Sequence, residues 1–107
     1  MVSKAINQPV RGSDSGRPIM VLLDALGQRW TLRILWELTP GPLSFRDLRE
    51  RCDQLSPTVL NSRLKLLREM ELVELVEGAG YRLTIPGQEL GTKLLDLHHW
   101  AEHWARD

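Results

Sequence analysis

A stripe of short polar and cationic side chains is the part of this sequence best suited to bind a ligand. The stripe consists of Thr58, Asn61, Ser62 and Lys65, which recur at helical spacing. Asn61 can form paired hydrogen bonds with adenine, and Lys65 can contact guanine or a phosphate. A solvated helix face gives a similar pattern, but such faces usually carry long Glu and Lys pairs. Short side chains near a helix start leave room for close approach to a groove of duplex DNA.

The stripe lies on the second of two short helices that the sequence predicts across a three-residue turn. Ser44 with Asp47 predicts a capping box for the first helix, and Ser56 followed by Pro57 predicts the start of the second. Apolar faces are formed by Phe45, Leu48 and Cys52 in the first helix and by Leu60, Leu64 and Leu67 in the second. This pattern indicates a helix-turn-helix, whose second helix enters the major groove.

Further residues complete the candidate DNA surface. They are Arg29, Arg46, Arg49, Ser56 and Arg82. The arginines suit phosphate contacts, although any exposed arginine in a basic region has the same appearance. Arg63 falls closer to the apolar side of its helix, so an ion pair with Asp47 or Glu50 is favoured there over a phosphate contact.

The charge of the chain is zero overall, with 14 cationic and 14 anionic side chains, but it is unevenly distributed. Residues 44–70 carry six Lys and Arg against four Asp and Glu, whereas residues 71–107 carry three against seven. This uneven distribution permits a DNA-facing side on a protein whose net charge is zero, but it does not require that such a side exists.

Other segments predict the elements around the helix-turn-helix. Residues 1–16 lack helical or strand periodicity and are expected to form a flexible tail, leaving one domain over residues 17–107. Two helices follow at about 18–26 and 30–38, and Leu43 is expected to form one short strand. Residues 72–76 and 81–84 predict a hairpin around Gly78, Ala79 and Gly80, before a last helix from about Pro86. The fold class is therefore mostly α (α+β): a winged helix-turn-helix with a short β-hairpin wing and additional N- and C-terminal dimerisation helices.

An apolar seam on the last helix predicts a homodimer. Its members follow the spacing of a coiled-coil seam over about two heptads. With two residues of the first helix, the expected dimer interface is Ile19, Leu23, Leu90, Leu94, Leu97, Trp100, Ala101 and Trp104. The chain has four tryptophans, for which interface packing is favoured. A small-molecule effector between the first, second and last helices is left open.

Several classes of function find no support in the sequence. No phosphate-binding loop, paired acids or nucleophile motif indicates an enzyme, and no cofactor is expected. His99 and His103 have a chelating spacing, but two ligands do not make a metal site. Cys52 continues the apolar stripe, so a buried thiol is expected rather than a redox sensor. No stretch is long and apolar enough for a membrane span or a secretory signal, so a cytoplasmic location is expected.

Four motifs in order resemble one family of bacterial winged-helix transcription regulators, the HxlR type. Residues 27–31, Gly-Gln-Arg-Trp-Thr, are similar to the family's opening of the second helix, and residues 45–48 to its Phe-x-x-Leu. Residues 55–67 are similar to its recognition helix, and residues 81–87 to its Tyr-x-Leu-Thr-x-x-Gly. The resemblance spans roughly residues 17–104 and implies DNA binding and transcription regulation.

The sequence departs from the family pattern in three respects. Arg17 stands where some members have a cysteine that senses oxidants or electrophiles, which excludes thiol sensing at this position. Glu71 replaces the glycine that usually ends the recognition helix, so the turn must adjust or accept a left-handed residue. The wing is short, and Arg82 is its one cation.

Two functions follow as hypotheses. The first is a sequence-specific DNA-binding transcriptional regulator, a repressor, that acts as a homodimer on a pseudo-palindromic operator in double-stranded DNA. The alternative is a winged-helix protein-interaction module that docks a partner through its apolar last helix and binds DNA weakly or not at all. The neutral charge and the small wing favour the alternative, and the polar stripe favours the first.

Overall fold

The computed structural model describes residues 16–106, in which a helix-turn-helix and a hairpin are flanked by helices. The elements are α1 (Pro18–Leu26), α2 (Thr31–Leu38), α3 (Phe45–Arg51), α4 (Pro57–Glu69), β1 (Val73–Val76), β2 (Gly80–Leu83) and α5 (Ile85–Arg106). The predicted winged helix-turn-helix is confirmed. The tail predicted over residues 1–16 lies outside the described residues, apart from the buried Gly16. No helix in the described range could cross a membrane.

Both helices of the helix-turn-helix begin at the caps that the sequence predicts. The Ser44 hydroxyl accepts a hydrogen bond from the Asp47 backbone N–H at 3.0 Å. The Ser56 hydroxyl accepts one from the Val59 N–H at 3.2 Å, and Pro57 takes the first helical position. Each cap satisfies a backbone donor that the first helical turn leaves unpaired, so both starts are defined locally.

The turn between α1 and α2 is closed by a buried hydroxyl. Trp30 has a left-handed backbone with a φ of 80°, and α2 starts one residue later than expected, at Thr31. The fully buried Thr31 Oγ1 lies 2.7 Å from the Gln28 carbonyl and 2.9 Å from the Ala25 carbonyl. This hydroxyl donor therefore ties the end of α1 to the start of α2.

Thr31→Val is expected to lower the free energy of unfolding by about 1 kcal/mol, because it removes a buried hydroxyl donor between α1 and α2 at nearly unchanged side-chain volume. Urea unfolding followed by circular dichroism measures the change. Thr92→Val is the matched control, since Thr92 is exposed and its hydroxyl donates to the Gln88 carbonyl of its own helix. A loss no larger than that of the control would show that the Thr31 hydroxyl does not stabilise the turn.

The hairpin is joined to the residue that precedes the helix-turn-helix. β1 and β2 are antiparallel, with Val73 opposite Leu83 and Val76 opposite Gly80. Leu43 and Tyr81 exchange two backbone hydrogen bonds of 2.9 and 2.8 Å, which confirms the short strand expected at Leu43. Gly80 has a φ of 100°, and a Cβ there would lie 2.5 Å from the Leu43 carbonyl oxygen. Only glycine allows this approach without a shift of the backbone.

Thr84 connects the wing to α5 and to the end of α4. Its hydroxyl accepts a hydrogen bond from the Gly87 N–H at 3.1 Å and donates to the Glu71 carbonyl at 2.6 Å. Its own N–H donates to the Leu72 carbonyl at 3.1 Å. Glu71 has a φ of 58°, so the turn accepts a left-handed residue without glycine. This network explains why the sequence needs threonine at residue 84, and a Cβ at residue 87 would overlap the Leu72 carbonyl oxygen, which explains the glycine.

The core lies between α2, α3 and α4. Its fully buried side chains include Ile34, Leu35, Leu38, Leu48, Leu60, Leu64 and Leu67. Cys52 is also fully buried, and burial raises the pKa of its thiol. The prediction of an apolar, buried thiol is confirmed. Because leucines hold one side of α4 in this core, its opposite side faces outward.

Candidate nucleic-acid interface

The predicted polar stripe lies together on the outer side of α4. Thr58, Asn61, Ser62 and Lys65 are all exposed, whereas Leu60, Leu64 and Leu67 of the same helix are at most 2% exposed. The Ser56 hydroxyl is used by the cap of this helix. The structure thus presents short hydrogen-bonding groups on one face of a helix whose other face is anchored.

A groove of about 800 Å³ runs between α4 and the wing. Asn61, Lys65 and Arg68 line it from α4, and Glu71 and Glu74 line it from the following segment. Sequence reasoning did not select Arg68. The sequence could have identified it, because Arg68 follows Lys65 by three residues and this spacing places both cations on one helix face. Arg68 extends the exposed cationic surface by one helical turn.

The remaining predicted cations differ in how far they are engaged within the protein. Arg29 and Arg46 are exposed, with Arg46 3.6 Å from the Glu50 carboxylate. Arg49 is half-buried, and its Nε donates to the Leu55 carbonyl at 2.7 Å. The Nε of Arg82 donates to the Glu74 carboxylate at 2.8 Å, across the wing. Arg49 therefore holds the turn of the helix-turn-helix, and Arg82 is paired on the wing.

Arg63 has a structural contact, but not the one expected from the sequence. Its Nε donates to the Arg29 carbonyl at 2.7 Å, where an ion pair with Asp47 or Glu50 was predicted. The prediction considered only residues near Arg63 in the helix-turn-helix, whereas the partner is brought in by the fold from the turn before α2. The bond joins α4 to that turn.

The residues predicted for a dimer interface divide into two groups. Leu90 and Leu94 pack partly against the core of this chain, and Ala101 is half-buried. Five others are large apolar side chains that are at least half exposed: Ile19, Leu23, Leu97, Trp100 and Trp104. Trp100 and Trp104 stack with ring centroids 5.7 Å apart. The exposed members of the predicted interface thus lie on α1 and the second half of α5, while Ile85 at the start of α5 and Leu75 on the wing are exposed as well.

A smaller apolar groove of about 320 Å³ lies between α2 and α5. It is lined by Leu32, Arg33, Trp36, Leu94, Leu97, His98 and Ala101. The rings of Trp36 and His98 are 5.3 Å apart at its side. Among residues 16–106, no group of three or more potential metal ligands comes together. The groove is suited to an apolar molecule rather than to an ion.

Two helices joined by a tight turn, followed by a two-stranded wing, define a winged helix-turn-helix protein. A family model described as HxlR-like helix-turn-helix matches residues 25–107. The chain belongs to this family.

Relatives of the chain carry the names of transcriptional regulators. The HTH-type transcriptional regulator YodB of Bacillus subtilis is 33% identical over 86 residues, which cover 75% of this chain and 77% of YodB. An uncharacterised HTH-type transcriptional regulator of Mycobacterium tuberculosis is 34% identical over 95 residues, which cover 83% of this chain. The match covers only 60% of that longer mycobacterial relative.

Solved structures share the fold. Quinone-bound YodB superposes with a TM-score of 0.72 at 32% identity, covering 80% of this chain and 97% of YodB. A possible HxlR family transcriptional factor from Thermoplasma volcanium gives the same TM-score at 30% identity, covering 84% and 86% of the two chains. Both the family and the winged fold predicted from the sequence are confirmed.

Proposed function

We propose that this protein is a sequence-specific DNA-binding transcriptional regulator that represses from a pseudo-palindromic operator as a homodimer. The exposed stripe of Thr58, Asn61, Ser62 and Lys65 on a capped, core-anchored helix carries the proposal. Side chains of this size allow α4 to enter the major groove, where their polar groups meet base edges and phosphates. The family of transcriptional regulators to which the chain belongs supports the same function.

The homodimer is proposed because one such helix reads only a few base pairs. Two copies related by a twofold axis would reach half-sites about 34 to 36 Å apart, which requires a pseudo-palindrome. Exposed apolar side chains at the end of α5, among them Leu97, Trp100 and Trp104, offer a surface for the second copy. Arg29 and Arg46 are the proposed phosphate contacts beside α4.

A small apolar effector is also part of the proposal. One solved structure of the relative YodB is described as quinone-bound. In this chain, the groove between α2 and α5 lies next to the proposed dimer surface, because Leu97 and Ala101 belong to both. A molecule bound there would alter how the two copies pack, and hence the spacing of the two α4 helices.

Lys65→Ala is expected to weaken binding to a duplex selected by the wild-type protein from a random pool. If Lys65 contacts a phosphate, the slope of log affinity against log salt decreases by about 0.9 for every duplex. If Lys65 reads a base, the variant loses about 1 to 3 kcal/mol of the binding free energy that discriminates the bases at one operator position. Fluorescence anisotropy over a salt series distinguishes these two roles.

Lys93→Ala is the control, because it removes the same charge from an exposed position on α5. If Lys65→Ala has the same operator affinity and salt slope as the wild-type protein, Lys65 does not belong to the proposed DNA-binding surface.

The second candidate is a protein-interaction module, favoured by the exposed apolar end of α5. The same salt series separates the two functions. A DNA-binding regulator shows steep salt dependence, whereas a docking module shows little binding to any duplex even at low ionic strength.

A further inference from the structure

Arg33 on α2 contacts three residues through one guanidinium group, two of them on another segment of the chain. Its Nε donates to the Glu37 carboxylate at 2.8 Å, within α2. Its Nη2 donates to the Arg51 carbonyl at 2.5 Å, and its Nη1 lies 3.4 Å from the Asp53 carboxylate. Arg51 and Asp53 belong to the end of α3 and to the turn that leads into α4. The guanidinium thus connects α2 to the turn of the helix-turn-helix.

This turn has a backbone conformation that its residues do not favour by themselves. Asp53 and Gln54 both have a φ of 59°, in the left-handed region. Side chains with a Cβ are disfavoured there, and two such residues in succession need support from outside the turn. α3 is only seven residues long and supplies little support.

The contacts of Arg33 are placed to provide that support. Its bond to the Arg51 carbonyl satisfies one of the acceptors left open at the end of α3. Glu37, whose side chain is only 17% exposed, holds the guanidinium in place and lies 3.9 Å from Arg51. The Glu37 hydrogen bond raises the pKa of Arg33.

We propose that Arg33 is a positioning residue for DNA recognition: it fixes the turn at Asp53 and Gln54, and thereby the direction in which α4 presents its polar stripe. The proposal rests on the DNA-binding function proposed above. The guanidinium itself makes no contact with DNA. Because base readout needs correct alignment and non-specific attraction does not, loss of Arg33 weakens sequence discrimination.

Two substitutions of Arg33 separate this role from a charge effect. Arg33→Met keeps the apolar stem, and Arg33→Lys keeps the charge but lacks the planar fork that reaches several acceptors at once. Both variants are expected to bind the duplex selected by the wild-type protein about tenfold more weakly. Affinity for a random duplex of equal length, and the salt slope, stay close to those of wild type in both variants.

Glu37→Met, which removes the acceptor of the Arg33 Nε at similar side-chain length, supplies a second test within the same network. It is expected to reproduce the loss seen in Arg33→Met, and the double variant should be no weaker than either single variant, because both changes release the same turn. Val21→Ala is the control for general destabilisation, since Val21 is buried in α1. It should retain the affinity ratio between selected and random duplex.

Hydrogen exchange gives a readout that needs no DNA. The Gln54 and Leu55 amides donate to the Arg49 and Cys52 carbonyls within the turn. These two amides are expected to exchange faster in Arg33→Met, while the Leu64 amide in α4 keeps its wild-type rate.

The outcomes distinguish this proposal from the proposed function. If the wild-type protein selects no duplex, the DNA-binding function itself fails. If the wild-type protein prefers the selected duplex over a random one and both Arg33 variants keep the same preference, the positioning role is overturned. Arg33→Met could instead lose the same affinity for the selected and the random duplex, with a slope of log affinity against log salt smaller by about 0.9. That result would overturn the positioning role and make Arg33 a phosphate contact.

Discussion

Gly87→Ala is expected to lower the free energy of unfolding by about 3 kcal/mol, at the upper end of the cost of overpacking. A Cβ at this position would overlap the Leu72 carbonyl oxygen and lie 3.2 Å from the Leu83 Cβ. The overlapping atom belongs to the backbone, so rotation of a side chain cannot relieve the clash. The helix propensity of alanine offsets only about 1 kcal/mol of this cost.

The Leu72 carbonyl cannot easily move away from α5. It accepts the Thr84 N–H at 3.1 Å, and Thr84 in turn binds the Glu71 carbonyl and caps α5. A shift at Leu72 would therefore disturb the end of α4, the first strand of the wing and the start of α5 together. For a domain of this size, a loss of 3 kcal/mol corresponds to a decrease of roughly 15 °C in Tm.

Differential scanning calorimetry of Gly87→Ala and Gly91→Ala measures the effect. Gly91 lies on the same helix and gains the same propensity, but its added Cβ would meet side-chain atoms rather than backbone: the Thr39 methyl group at 3.2 Å and the Leu83 Cδ1 at 3.6 Å. Gly91→Ala is therefore expected to stay near the wild-type Tm. An equally small change for Gly87→Ala would mean that α5 can move away from Leu72 at little cost.

Trp104→Glu is expected to convert the proposed dimer to a monomer, weakening association at least about a hundredfold. Trp104 is 68% exposed, so in a single copy the substitution replaces a surface residue. Burial of an unpaired carboxylate in an interface costs several kcal/mol, whereas the same change on a solvated helix face costs less than about 0.5 kcal/mol. Twofold symmetry would place the charge in the interface twice.

Sedimentation velocity measures the mass in solution and so distinguishes a dimer from a monomer. His99→Glu is the control, because His99 is exposed in the same half of α5, and its helical spacing places it on a different side from Leu97, Trp100 and Trp104. The control should keep the mass of the parent protein. Operator affinity should fall with dimerisation, since a monomer loses the second half-site.

Two results would contradict this prediction. An undisturbed dimer in Trp104→Glu would exclude the end of α5 as the interface. A monomeric parent protein that binds its operator tightly would contradict the paired half-site mechanism as a whole.

The sequence by itself determined the elements whose signals are local. Ser44, Ser56 and Pro57 marked both helix starts of the helix-turn-helix, and the leucine spacing identified the buried side of α4. Caps and apolar periodicity act within one or two helical turns, so the residues that produce them are neighbours in the chain. The position of the polar stripe on α4 follows from the same periodicity.

Only the tertiary structure decided which long side chains remain exposed and which bond to groups within the fold. Arg49 and Arg63 have the same residue type as Arg46 and Arg82, yet they donate to backbone carbonyls within the protein, whereas the exposed Arg46 and Arg82 each pair with a carboxylate. A guanidinium on a long, flexible stem can reach many acceptors, and for two arginines the acceptor lies on a segment far away in sequence. Arg63 finds its acceptor at Arg29, 34 residues away, and Arg33 finds Arg51, 18 residues away.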